Sequence, residues 1–235
     1  MTSCARPQRP IASAQSVYFR DHTRNTNWME YIMARIALIG ASGRAGSRIL
    51  KELSDRGHTV TAVARNPEKI ASQPNVTTKK GDVWDKNGLA ALLRGHDAVV
   101  SAVHFSASDA KTLIEAVRAS GVKRYLVVGG AGSLEVAPGK RLVDQPDFPT
   151  AYKAEATKGG EFLDLLKGEK ELDWTFLSPS ALFFEGERTG KFRLGKDALL
   201  SSDKGSSISF EDYAIALVDE IEKPAHSRQR FTVGY

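Results

Sequence analysis

The sequence predicts an α/β fold: a doubly wound parallel sheet with helices on both faces and a small irregular lobe toward its C-terminal end. Three observations predict it. Short apolar segments alternate with segments of helical period from Arg35 to Gly130. The apolar segments are nearly continuous in Val, Ile, Leu and Ala, as strands buried on both faces are. The first of them ends in glycines spaced G-x-x-G-x-x-G, at Gly40, Gly43 and Gly46.

The elements follow in order. "RIALIG" (35–40) is a buried strand, and Ala45, Ile49, Leu50 and Leu53 then recur at helical spacing until Gly57. "HTVTAVAR" (58–65) is a second strand and "NVTTKKGD" (75–82) a weaker third. "GLAALLRG" (88–95) reads as a helix and "DAVVSAV" (97–103) as a strand. Ala110, Leu113, Ile114 and Val117 mark a helix that stops at Gly121, before the strand "KRYLVVGG" (123–130). Residues 133–149 hold Pro138, Gly139, Pro146 and Pro149 and read as a loop. A helix follows over 151–167, weakened by Gly159 and Gly160, then a strand at "LDWTFLSPS" (172–180). Residues 182–208, with four glycines, form the irregular lobe. "SFED" (209–212) reads as a capping box, in which the Ser209 hydroxyl takes a backbone N–H and Asp212 reaches back. Its helix carries Tyr213, Ala214, Leu217, Val218 and Ile221, and "RFTVGY" closes the chain as a strand.

Composition narrows the function. The 235 residues are 41% hydrophobic and 26% charged, which suits one domain with one core. We expect that domain over 33–235, with 133–150 and 180–210 covering a substrate. Residues 1–32, rich in Arg, Ser and Asn, lack apolar period and read as a disordered extension, an organelle transit segment or a misassigned start before Met33. No apolar run approaches the roughly 18 residues of a membrane span. Cys4 is the single cysteine, so a disulfide framework is excluded. The net charge of +5 is scattered without a basic block, which argues against nucleic acid. His58, His96 and His226 sit at turns, and His104 follows the fourth strand without a carboxylate at ligand spacing, so no metal site is expected.

The glycine spacing gains meaning from its context of strand, turn, amphipathic helix and strand. Gly40 permits the tight turn, Gly43 lets backbone amides approach a pyrophosphate, and Gly46 lets the helix pack close. The helix's unpaired N–H groups and positive dipole end then favour an anion. An NAD site would carry Asp or Glu about 20 residues further on, for the ribose 2′-hydroxyl. Here Arg65 stands at the end of the second strand. A guanidinium binds a 2′-phosphate through charge-assisted bonds where a carboxylate would repel it. NADP is therefore expected rather than NAD, with Arg44 as a second cation.

"GASGRAG", "VTAVARNPEK", "KKGDVWD", "HDAVVSAV" and "VKRYLVVGGAGSL" resemble the atypical short-chain dehydrogenases with an NAD(P)H-binding Rossmann domain. "LDWTFLSPSALFFEGERTGKFRLG" and "SISFEDYAIALVDEIEKP" are closer still to bacterial NADH-flavin reductases, relatives of biliverdin reductase B, with redox-sensing NmrA-like proteins as further kin. The resemblance covers about residues 34 to 235. It implies that Gly40, Ser42, Gly43, Arg44 and Gly46 line the phosphates, Arg65 the 2′-phosphate, and Asp82 and Val83 the adenine. Ala102 and Val103 would flank the nicotinamide ribose, and the Pro179-Ser180-Ala181 turn would cover the ring. Ser133 would face the nicotinamide; it reads equally as a residue of a glycine-rich turn.

Typical short-chain dehydrogenases act through Tyr-x-x-x-Lys, the ammonium lowering the phenol's pKa. Tyr152 is present, but position 156 is alanine. Ser133 and Tyr152 are thus the candidate catalytic residues, without a lysine for the latter. The expected activity is hydride transfer from NADPH to a flat acceptor such as free flavin or a quinone, flavin being substrate rather than bound cofactor. The alternative is a non-catalytic redox sensor of NmrA-like type. A nucleotide-sugar epimerase is disfavoured by the short C-terminal region. A cytoplasmic monomer or homodimer, with a small-molecule acceptor and neither nucleic-acid nor membrane partner, completes the expectation.

Overall fold

In β1 (Arg35–Ile39), Ile36 and Leu38 join one apolar cluster while Ala37 and Ile39 join another, and all four are buried. A strand whose alternating side chains are buried both ways needs cover on both faces. The computed structural model, which describes residues 33–235, supplies it. The expectations for residues 1–32 lie outside the described residues.

The remaining elements are α1 (Arg44–Asp55), β2 (Thr59–Ala64), β3 (Val76–Lys80), α2 (Lys86–Leu93), β4 (Ala98–Ser101), α3 (Ala110–Ser120) and β5 (Arg124–Val128). After them come β6 (Glu135–Ala137), β7 (Lys140–Arg141), α4 (Thr150–Lys167), β8 (Asp173–Pro179), β9 (Leu182–Phe184), β10 (Arg193–Gly195), β11 (Ser207–Ser209), α5 (Phe210–Glu222) and β12 (Gln229–Gly234). The main sheet runs β10-β12-β8-β5-β4-β1-β2-β3 and is parallel except for β10, which lies antiparallel on β12. This is the doubly wound Rossmann arrangement, and the strand order reverses between β1 and β4. Ligands of such sheets bind outside the strands' C-terminal ends at that switch point.

On one face α1 and α5 bury Ile49, Leu50, Leu53, Tyr213 and Leu217 against the sheet. On the other, α2, α3 and α4 bury Leu89, Leu113, Val117, Phe162 and Leu166. Each such side chain contributes about 1.5–3 kcal/mol of burial. The Tyr213 hydroxyl donates to Leu177 O at 2.7 Å, which satisfies the one polar atom of a buried ring. Helix ends follow the chemistry of their caps. Asp85 and Asp109 accept N–H groups of Gly88 and Thr112 at the starts of α2 and α3, and Gly121 ends α3 in the left-handed region.

Three expectations need correction. Residues 182–208 do not form a separate lobe: β10 extends the main sheet, and β9 pairs with β11 in a two-stranded parallel ribbon. The 133–149 loop contains a short hairpin, β6 with β7, turned by Gly139 at φ 71°. The capping box is half right. Ser209 accepts the Asp212 N–H at 3.0 Å, but Asp212 does not reach back. Aspartate is one methylene shorter than the glutamate that usually closes this box. The buried Asp212 carboxylate instead accepts from Thr189 N at 2.7 Å, Gly190 N at 2.8 Å and the Tyr235 hydroxyl at 2.8 Å. It thereby ties down a strap, residues 185–190. Glu211 holds Gly186 N and Arg188 pairs with the buried Glu52 of α1, so the strap is fixed to both helices of its face.

Candidate cofactor site

Gly40 ends β1 with φ +82°, and a Cβ there would lie 2.5 Å from Ala102 O and 2.9 Å from Val103 Cγ1. The first turn is thus pressed directly on the end of β4. A Cβ on Gly46 would lie 2.2 Å from Gly40 O, and one on Gly43 3.3 Å from the same oxygen. At Gly40 and Gly46 backbone occupies the space a side chain would need, and at Gly43 a Cβ would fit only tightly. The Gly43 N–H donates to Gly40 O at 3.0 Å, but Ser42, Arg44, Ala45 and Gly46 donate no backbone hydrogen bond within the described protein. The first turn of α1 has no acidic residue and no side-chain cap. Four unpaired N–H groups, an uncapped helix start and a cradle without side chains fit a pyrophosphate. Arg44 opens this helix, and its guanidinium lies 5.7 Å over the Phe210 ring.

At the C-terminal ends of β2 and β3 a cavity of ≈ 620 Å³ is lined by Arg65, Asn66, Lys80, Asp82, Asp85 and Leu92, with Gly81 and Gly88 in its wall. It brings together Arg65 and Asp82, seventeen positions apart in sequence, and adds Lys80, which sequence reasoning missed. Lys80 closes an edge strand whose residues are almost all exposed, so its pattern is that of a solvated face. Both aspartates are engaged. Asp82 accepts Trp84 N at 3.0 Å, and Asp85 caps α2. Val83 is half-buried against the α2–α3 core.

At the other end of the crevice, Ala102 and Val103 are half-buried beside Gly40. Ser133 is half-buried, and its hydroxyl oxygen accepts from Arg230 Nη1 at 3.4 Å. Pro179 is buried in register with Val233, and Ser180 turns inward to donate to Val233 O, so Ala181 is the exposed member of that turn. Tyr152 is 66% exposed on α4; its backbone N–H donates to Pro149 O at 3.0 Å, and its hydroxyl has no hydrogen-bond partner among the described residues. Lys153 donates to the Val143 carbonyl and lies 5.7 Å over the Phe148 ring. Ala156, where the lysine of a Tyr-x-x-x-Lys pair would stand, is packed on Gly132; a Cβ on that glycine would lie 2.6 Å from Ala156 Cβ. A lysine would have no room on that side.

Sequence reasoning also passed over Glu155. From α4 it accepts Phe105 N and Ser106 N, both at 2.8 Å, and meets His104 Nδ1 at 3.3 Å. His104 thus has a carboxylate partner after all, fifty-one positions away, where no local spacing reveals it. Burial works to raise the Glu155 pKa. The Ser106 hydroxyl and N–H, the Phe105 N–H and the His104 charge outweigh it and hold the group below its ordinary value. Among the described residues no cluster of His, Cys, Asp and Glu could hold a metal ion, and no helix is long and apolar enough to cross a membrane.

The sequence pattern of a family described as NAD(P)H-binding matches residues 40–224. The chain belongs to this NAD(P)H-binding family. Three solved structures are similar to this NAD(P)H-binding protein over 86% of its length. One, provisionally called an exported protein, is from Burkholderia pseudomallei, with 49% identity, a TM-score of 0.79 and 100% of that chain covered. A second, provisionally called an epimerase, is from Bacteroides thetaiotaomicron, with 45% identity, a TM-score of 0.82 and 97% covered. A third, provisionally called an NADH-flavin reductase, is from Streptococcus pneumoniae, with 37% identity, a TM-score of 0.73 and 99% covered.

Proposed function

We propose that this chain is an NADPH-dependent reductase that passes hydride to a flat, electron-poor ring such as free flavin or a quinone. One observation carries the reading: a chain with a dinucleotide cradle has a tyrosine at the usual helix that meets no activating cation among the described residues. Tyr152 is exposed, Lys153 is committed to the Val143 carbonyl, and Ala156 packs on Gly132. Alcohol–ketone chemistry needs a poised acid/base there. A ring acceptor needs chiefly orientation and exclusion of competing reactions.

In this reading the amides of Ser42, Arg44, Ala45 and Gly46 hold the pyrophosphate, at about 1.5–3 kcal/mol for each bond to a charged group. Arg65 and Lys80 hold the 2′-phosphate, which favours NADP over NAD. Asp82 and Val83 border the adenine, and Ala102 and Val103 border the nicotinamide ribose. Ser133 and the turn after Pro179 border the ring. The bound cofactor supplies the hydride. The relative named for NADH-flavin reduction supports this acceptor class, and the one named an epimerase points elsewhere. An epimerase would turn over a sugar nucleotide without net oxidation of cofactor. The lone cysteine suits a reducing compartment, and we assign the cytoplasm.

The test is NADPH oxidation followed against a panel of flavins and quinones. Turnover with at least one of them is expected. Tight NADPH binding with no turnover by any acceptor would replace the reductase with a redox sensor, a reading that an unassisted Tyr152 also favours.

A further inference from the structure

We propose that His104, paired with Glu155, is the proton donor to the reduced acceptor; the proposal rests on the reductase reading above. Position comes first. Val103, the preceding residue, has its Cγ1 2.9 Å from where a Gly40 Cβ would stand, so the chain enters His104 directly from the switch point of the sheet. Consecutive Cα atoms are about 3.8 Å apart, which sets His104 at the lip of the same crevice. Its side chain is 79% exposed there.

The ring is also oriented. Nδ1 donates to Glu155 Oε1 at 3.3 Å, and the same carboxylate is pinned by Phe105 N and Ser106 N. Phe105 is held in turn: a Cβ on Gly159 would lie 2.9 Å from the Phe105 ring, so the glycine lets this ring pack on α4. Helix and turn thus form one rigid piece. With Nδ1–H committed to the carboxylate, the imidazolium form carries its transferable proton on Nε2, which has no hydrogen-bond partner among the described residues. Glu155 is one helical turn from Tyr152. In this chain the acid/base function of the helix has passed from the phenol to the carboxylate-held imidazole across the crevice. Among the described residues, Glu155 is the charged side chain in contact with the ring.

The step balances simply. A hydride leaves the reduced cofactor and forms a bond to the acceptor ring, which gains two electrons while the cofactor loses two. The electron pair displaced onto an acceptor oxygen or ring nitrogen takes the proton from Nε2–H as that bond breaks. Exposed His104 recovers its proton from water.

The test uses His104→Ala in the full chain. Turnover with the best flavin or quinone should fall about 100-fold, the low end of what a positioned acid contributes. NADPH affinity by calorimetry and the melting temperature should be unchanged, because Glu155 still holds both backbone N–H groups. Added imidazole should restore turnover, since the exposed site admits it. A readout without turnover is the His104 ring in NMR spectra of the wild type. Its carbon resonances should shift when an oxidised flavin is added to the NADP⁺ complex, in which no reaction takes place. Turnover within twofold of wild type, weakened NADPH binding, failure of imidazole to rescue or an unresponsive ring would each overturn the proposal and leave the reductase intact. A wild type that binds NADPH but reduces no acceptor would overturn both.

Discussion

Arg65→Asp is the substitution that separates an NADP site from an NAD site. The cavity it lines holds two cations, Arg65 and Lys80, and two carboxylates, Asp82 and Asp85. The change takes that lining from balanced to two negative charges in excess. A lost charge-assisted bond costs about 1.5–3 kcal/mol, and about 1.4 kcal/mol is tenfold in affinity, so NADPH binding should weaken at least tenfold. Arg65 is exposed, so the new carboxylate acts mainly through water, where like charges about 4 Å apart repel by about 1 kcal/mol. That adds roughly a further fivefold, while Lys80 keeps the loss from becoming total. NADH carries only a 2′-hydroxyl, which an aspartate accepts from, so its affinity should hold or improve. Titrating both cofactors by calorimetry into wild type, Arg65→Asp and Arg65→Gln divides the lost bond from the added repulsion. A wild type that prefers NADH, or a mutant that loses both cofactors equally, would refute the reasoning and leave Arg65 a surface arginine.

Other perturbations test the remaining parts. Gly46→Ala places a methyl 2.2 Å from Gly40 O, a backbone atom that cannot swing aside, so α1 must shift. The cost should be about 1–3 kcal/mol, seen as a lower melting temperature together with weaker cofactor binding; a variant unchanged in both would mean the turn is looser than described. Tyr152→Phe should lower turnover less than about tenfold, and a loss of about 10²–10⁴ would mean that some other cation activates the phenol. Burial works to raise the Glu52 pKa, but bonds from Arg188 and Arg56 outweigh it and hold the group below its ordinary value of 4.5. Its folded pKa is therefore lower than its unfolded one. The stabilisation is present above the unfolded value and disappears as pH falls through the folded one. Urea unfolding at about pH 6 and about pH 3 should show an acid loss that Glu52→Gln reduces; an equal loss in both would clear Glu52 of the role.

What could be read from the sequence was local or periodic. The turn through Gly40, Gly43 and Gly46 announces itself because each glycine meets backbone within six residues or at the adjoining strand. Strands β1, β4 and β5 and helices α1 and α3 follow from apolar period alone, and Ser209 caps α5 as its spacing suggests. The absence of a lysine for Tyr152 was also visible. The rest depends on contacts between distant residues. Asp212 satisfies its buried carboxylate with residues more than twenty positions away, so the half of the capping box that failed could not be seen to fail. Glu155 meets His104 only once α4 is packed against the turn at Phe105 and Ser106 that follows β4. Lys80 looked like an exposed edge-strand lysine because it is one, and only the neighbouring end of β2 brings it into one cavity with Arg65. The hairpin of β6 and β7 and the pairing of β10 carry too few apolar residues to show a period.

The strap at residues 185–190 behaves, by its bonding, unlike the surface segment its side chains suggest. Gly186, Thr189 and Gly190 are exposed, yet their amides end on carboxylates of α5 rather than on water. Amide exchange depends on opening of the bond that protects the hydrogen, not on exposure of the residue. Releasing Thr189 and Gly190 would strand the Asp212 charge in a fully buried position, so the opening should occur with the start of α5 and not before it. In deuterium these amides should keep time with the helix, while exposed Lys191, whose N–H is held by the Thr189 hydroxyl rather than by a carboxylate, exchanges sooner.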